Sequence, residues 1–154
     1  MDIQTNLQFA QDLLHSWTDR TANPDPTRLD VYTTPEKLVE AVQAIFAAGG
    51  WHLSAITGLD VSHEDAPGGA IEVLYHFCKG PAILSLRVNL PYDLPEVPSI
   101  CGVIPSATMY ERELIEMFGV IVVDTPDHSR LLLPDDWPDY VYPLRKSFKG
   151  LDQE

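Results

Sequence analysis

Leu7, Ala10, Leu14 and Trp17 recur at three- and four-residue steps, which places them on one stripe of an amphipathic helix over about residues 3 to 19. Pro24 and Pro26 break that pattern, so Thr21–Thr27 reads as a connection and Arg28–Tyr32 as a short strand. Thr33-Thr34-Pro35-Glu36 is a helix-start signal: a threonine side chain can cap free amides, proline suits the first turn, and an early glutamate suits the positive end. Leu38, Ala41, Val42, Ile45 and Phe46 line the buried face of that helix, and Gly49-Gly50 stops it. Trp51–Leu59 is a mostly apolar strand, followed by a turn at Ala66-Pro67-Gly68-Gly69.

Ile71, Val73, Tyr75 and Phe77 then alternate with Glu72, Leu74 and His76, and Leu84, Leu86, Val88 and Leu90 repeat the alternation. The short link Lys79-Gly80-Pro81 predicts that these two strands pair as an antiparallel hairpin. Pro91–Pro105 holds four prolines and is expected to run as an extended crossover. Ser106 can cap a helix carrying Ala107, Tyr110, Leu114 and Met117 or Phe118 on one face, with Tyr110, Leu114 and Phe118 turned to the core. Gly119 is expected to close it in the left-handed conformation. Val120–Val123 is long enough only for an edge strand. This order predicts an α+β fold, with helices packed on one face of a mainly antiparallel sheet and an extended Pro-rich C-terminal tail. The expected division is 1–123 for the α+β domain and 124–154 for a docking tail.

Composition narrows the function. The chain has 154 residues, of which 45% are hydrophobic, enough for one real core. Ten basic against twenty-three acidic residues give a formal charge of -13, so the average field repels polyphosphates and nucleic acid is not an expected partner. The first twenty residues lack the charged and apolar regions of a secretory signal, and no run approaches the ~18 apolar residues a spanning helix needs. A cytoplasmic protein that meets the membrane only through partners is the expectation. Cys78 and Cys101 stand far apart with no C-x-x-C, too few thiolates to hold an iron–sulfur cluster on this chain.

Candidate chemistry is sparse. Glu111, Arg112, Glu113 and Glu116 crowd one predicted helix. Because consecutive residues turn by about 100°, Glu111 and Glu113 point to roughly opposite sides, whereas Arg112 and Glu116 are placed to pair along the surface. Two-carboxylate hydrolysis requires acids facing each other across a substrate, so a charged face for pairing or docking is the better reading. The five histidines show no metal-binding spacing, and neither a nucleophile elbow nor a phosphate-binding glycine loop is present. The tail combines Arg130, Arg145, Lys146 and Lys149 with Leu131–Leu133, Trp137, Tyr140, Tyr142 and Phe148. It carries too many large apolar groups to stay solvated, so it either folds back on its own sheet or anchors a partner.

The ordered motifs Glu111-Arg112-Glu113, Phe118-Gly119, Pro126-Asp127, Arg130–Trp137 and Pro143-Leu144-Arg145-Lys146 resemble the thirty-kilodalton, or C, subunit of proton-pumping NADH:quinone oxidoreductase. The resemblance spans about residues 28 to 149. Thr125, Ser129 and Ser147 replace the family's usual His, Arg and Asp. The spacer Pro138–Tyr142 is longer than in the respiratory branch, and more like the homologous subunit of membrane-bound nickel–iron hydrogenases. The resemblance implies a non-catalytic peripheral-arm subunit of an ion-pumping redox complex, on the cytoplasmic side of the cell membrane. It implies no cofactor on this chain; iron–sulfur clusters and a nickel–iron centre belong to partners. The implied partners are the large, nickel–iron-hydrogenase-like catalytic subunit and an adjacent iron–sulfur subunit. The interface is expected at Glu111, Arg112, Glu113, Glu116, Arg130, Trp137, Leu144, Arg145, Lys146 and Phe148, with Arg130, Arg145 and Lys146 meeting acidic groups and Leu144 and Phe148 inserting as anchors. A stand-alone small-molecule enzyme and a free acidic adaptor are the rival readings.

Overall fold

A computed structural model describes residues 2–62 and 69–151, so the turn expected at 66–69 lies, apart from Gly69, outside the described residues. Helix α1 (Ile3–Leu14) starts where the Asp2 carboxylate accepts from the Ile3 amide, and it buries Leu7, Ala10 and Leu14. A single 3-10 turn at His15–Trp17 extends it toward the expected boundary. The Trp17 indole then donates to Glu40 at 3.0 Å on the second helix.

The expected connection at 21–27 is instead a strand. β1 (Arg20–Asp25) pairs antiparallel with β2 (Arg28–Thr33), with an irregular register between Ala22 and Asp25. Pro24 is tolerated because β1 is an edge strand, where a missing amide removes no required ladder bond. The Asp25 carboxylate accepts from both the amide and hydroxyl of Thr27 and so closes the turn.

Helix α2 (Pro35–Ala48) has the predicted buried face at Leu38, Ala41, Val42 and Ile45, and Gly49 ends it at φ 73°. Phe46, expected on that face, is 59% exposed. Thr34 sits at the N-cap without capping an amide. Its hydroxyl meets Glu36 instead, and that contact holds the Glu36 carboxyl below its usual range.

Strands β3 (His52–Asp60), β4 (Ala70–Lys79) and β5 (Ala82–Pro91) complete a sheet of order β1-β2-β5-β4-β3. The β4–β5 hairpin is antiparallel, as predicted, and within this sheet of the described residues only the β2–β5 pair is parallel. The alternation resolves into two faces. Ile71, Val73, Tyr75 and Phe77 stand opposite Leu90, Val88, Leu86 and Leu84, and all eight are buried. On the other face Arg87 bridges Asp30 and Glu72, and Arg28 also bonds Asp30.

Two three-residue strands, β6 (Glu96–Pro98) and β7 (Ile121–Val123), pair parallel as a separate small sheet. The Pro-rich crossover thus contributes a strand, and Val120–Val123 is not an edge of the main sheet. Between them lies helix α3 (Thr108–Phe118), entered through a 3-10 turn at Pro105–Ala107. Ser106 falls inside that turn, and the N-cap is Ala107, without a side-chain bond. The Phe118 ring lies over Gly58 of β3, where a Cβ would collide with it, and the Tyr110 hydroxyl donates to the Ser54 carbonyl at 2.8 Å. These contacts seat α3 on the same sheet face as Val73, the register partner of Gly58.

Candidate docking site

Residues 124–151 form no helix or strand, so their course is set by side chains and scattered backbone bonds. The first of these come from α3. Arg112 donates from Nε to the Ser129 carbonyl at 2.9 Å and from Nη2 to the Arg130 carbonyl at 2.6 Å, with Asp127 at 3.7 Å. One turn further along, the Glu116 carboxylate accepts from the amides of Leu131 at 2.6 Å and Leu132 at 2.9 Å. The expected Arg112–Glu116 surface pair is therefore absent. The helical spacing does bring the two side chains to one face, but each is satisfied by peptide groups of the tail, and together they grip four consecutive residues.

Glu111 points the other way and is 1% exposed. Its carboxylate accepts from the Ser99 hydroxyl, from the Ile100 amide at 2.8 Å and from the Cys101 thiol at 3.2 Å. It thereby fixes the bend between β6 and α3. The negative charge also acts on its neighbours: burial and then Glu111 push the Tyr75 hydroxyl well above its ordinary pKa. Burial raises the Cys101 thiol as well, which leaves it protonated and a poor nucleophile at neutral pH. Glu113 is half-buried, and among the described residues it has no ion pair.

Further along, Arg130 folds the tail upon itself, donating to the carbonyls of Pro134 at 3.0 Å and Trp137 at 2.7 Å and pairing with Asp139 at 3.4 Å. The Trp137 indole donates to the Val141 carbonyl at 2.8 Å, and its ring meets Phe148 at a 6.0 Å centroid distance. The chain then returns to α3. The Leu144 amide reaches the Met117 carbonyl at 3.1 Å and Arg145 Nε reaches the Phe118 carbonyl at 2.6 Å. A cation at those free carbonyls is favourable for the helix. The same guanidinium stacks on Tyr92 at 4.7 Å and Tyr142 at 4.9 Å.

Lys146 makes the next anchor. Its amide donates to Asp60 Oδ2 at 2.8 Å and its Nζ to the Ser62 carbonyl at 2.7 Å. Burial alone would raise the Asp60 pKa; hydrogen bonds from Ser62, the Lys146 amide and Tyr92 outweigh it and hold the carboxyl below its usual value. Leu144 projects outward at 52% exposure. Of the ten residues expected at an interface, Arg112, Glu116, Arg130 and Arg145 are brought together, and each bonds this chain's own backbone. Asp60 and Tyr92 are the members that sequence reading missed; Tyr142 stood among the tail's aromatic residues without a place in the expected interface. The isolated acid closing the apolar β3 run was the available signal for Asp60.

A family model described as "Respiratory-chain NADH dehydrogenase, 30 Kd subunit" matches residues 31–154. The chain belongs to this family. It is 38% identical over 136 residues to formate hydrogenlyase subunit 5 of Escherichia coli, a match covering 86% of this chain and 22% of that protein. It is 32% identical over 128 residues to the C subunit of the F(420)H(2) dehydrogenase of Methanosarcina mazei, covering 81% of this chain and 78% of that one. In fold, it superposes with a TM-score of 0.70 and 21% identity on a chain of the membrane-bound sulfane sulfur reductase, an archaeal respiratory membrane complex, over 96% of this chain and 87% of that one. This member of the 30 kDa family thus spans most of one relative and about a fifth of another, much longer polypeptide.

Proposed function

We propose that this chain is a non-catalytic peripheral subunit of a membrane-associated, ion-pumping redox complex, of the energy-converting nickel–iron hydrogenase or NADH:quinone oxidoreductase type. It docks on the large catalytic subunit and supports electron transfer by keeping that subunit in place. The observation that carries the reading is the use of the family motif: Arg112, Glu116, Arg130 and Arg145 hold the tail in one course along α3. The motif residues are engaged with peptide groups of the tail, which supports a role in shaping a docking surface. Family membership and relatives named for formate hydrogenlyase and F(420)H(2) dehydrogenase support the redox setting.

Among the described residues no helix is long and apolar enough to cross a membrane. In this reading membrane attachment, on the cytoplasmic side, and the iron–sulfur and nickel–iron centres belong to the partners. The test is native electrophoresis of solubilised membranes carrying a tagged chain. The tag should migrate with a large redox subunit and an iron–sulfur subunit, and the isolated chain should show no turnover. Migration of the tag alone, or turnover by the isolated chain, would overturn the reading.

A further inference from the structure

The internal role of the cations changes which charges the tail can offer a partner. Of the ten lysines and arginines, all but Lys149 lie against a carboxylate, a carbonyl or an aromatic ring among the described residues of this chain. The loop 134–142 is the opposite. Asp135, Asp136 and Asp139 are exposed, and among the described residues only Asp139 has a cation, Arg130, beside it. In this loop stands Tyr140, 89% exposed, the most exposed of the large apolar side chains among the described residues. The loop is pinned from within by Arg130 and by the Trp137–Val141 bond. Between it and α3 opens a cleft of about 360 Å³, bordered by Ile115, His128 and Trp137.

A large aromatic side chain held out in water gains by burial, and the bonds that pin its loop reduce the conformational freedom lost on docking. Acidic neighbours, of which Asp135 and Asp136 have no cation beside them among the described residues, select a surface of opposite charge and speed the encounter with it. We infer that the 134–142 loop is the part of the tail that enters the partner: Tyr140 fills an apolar pocket on the large subunit, and Asp135, Asp136 and Asp139 face a basic rim around that pocket. This rests on the subunit reading above and gives the interface the opposite sign from the one its cationic composition suggested.

The test uses the assembled complex. A photoreactive phenylalanine analogue in place of Tyr140 should crosslink to the large subunit, whereas the same probe in place of Phe46, 59% exposed on α2, should not. Tyr140 has φ 61°, a conformation glycine adopts freely, so Tyr140→Gly should leave the thermal midpoint unchanged or higher. Rebinding of that purified variant to membranes from a strain lacking the chain should be about 30-fold weaker or worse, the loss typical of an interface anchor. Replacing the three aspartates by asparagine should slow rebinding and flatten its salt dependence. Unchanged rebinding of Tyr140→Gly, or crosslinks from position 46 and none from 140, overturns the loop assignment while leaving the subunit reading intact. A wild-type chain that migrates alone overturns both.

Discussion

Gly119 ends α3 at φ 67° and ψ 30°, and the ring of Tyr142 occupies the space a Cβ would need. An alanine there would meet two separate costs, the left-handed backbone and the displacement of a ring that also stacks on Arg145. Gly119→Ala should therefore lower stability by about 2 kcal/mol in urea unfolding, of which the backbone alone accounts for ~1–2 kcal/mol. It should also open the tail to limited proteolysis. Thr125 gives a change of the other sign. Its hydroxyl is buried, and among the described residues it has no hydrogen-bond partner, so the isosteric Thr125→Val should raise stability by up to about 1 kcal/mol in the same assay. Asp60 adds a pH dependence. Its pKa is lowered in the folded chain from 3.8, so its contribution is fully present above that value and is lost as pH falls through the lower folded value. Asp60→Asn should cost about 2 kcal/mol at neutral pH, and the gap between variant and wild type should close progressively below pH 3.8. A gap that stays constant into acid would show that the carboxylate charge is not what binds Lys146.

At the scale of elements, α3 shows why a local rule gave the right geometry and the wrong partners. The spacing of Arg112 and Glu116 predicts that they share a face, and they do, but an exposed i,i+4 pair is worth only ~0.3–0.5 kcal/mol. Two bonds from a charged group to peptide groups that water would otherwise solvate are each worth ~1.5–3 kcal/mol. The tail wins that competition, and nothing in the helix sequence alone announces the competitor. Arg112→Ala and Glu116→Gln should each release the 129–132 segment, seen as faster hydrogen exchange at Leu131 and Leu132. Because both act on one stretch of backbone, the double variant should lose about 1 kcal/mol less than the two single losses combined. Full additivity would mean that the two side chains hold independent pieces. β1 was hidden for a different reason. Its exposed residues and Pro24 give no alternation to read, because an edge strand with little buried surface needs none.

For the whole molecule, what the sequence made legible is whatever repeats within one element. The stripe of α1 and the alternation of β4 and β5 follow from periods of 3.6 and 2, and the stop of α3 from glycine's tolerance of the left-handed backbone. What it hid are contacts between distant segments: Lys146 meets Asp60 across 86 positions, and Tyr142 meets Gly119 only because the chain doubles back. These distant contacts also predict how the molecule comes apart. The core cluster draws on residues between Leu7 and Val122, while the tail is held to it by hydrogen bonds and by the Arg145 guanidinium over Tyr92. Few buried apolar contacts and exposed backbone bonds mark a segment that opens below the global unfolding free energy. Native-state hydrogen exchange should accordingly show Leu131, Leu132, Leu144 and Lys146 opening together, and with less denaturant than Val73 of β4 or Leu86 of β5. If their amides exchange only with global unfolding, the tail is part of the core cooperative unit and the division at residue 123 is wrong. If they open one by one, the α3 clamp and the Asp60 anchor do not act as a single latch.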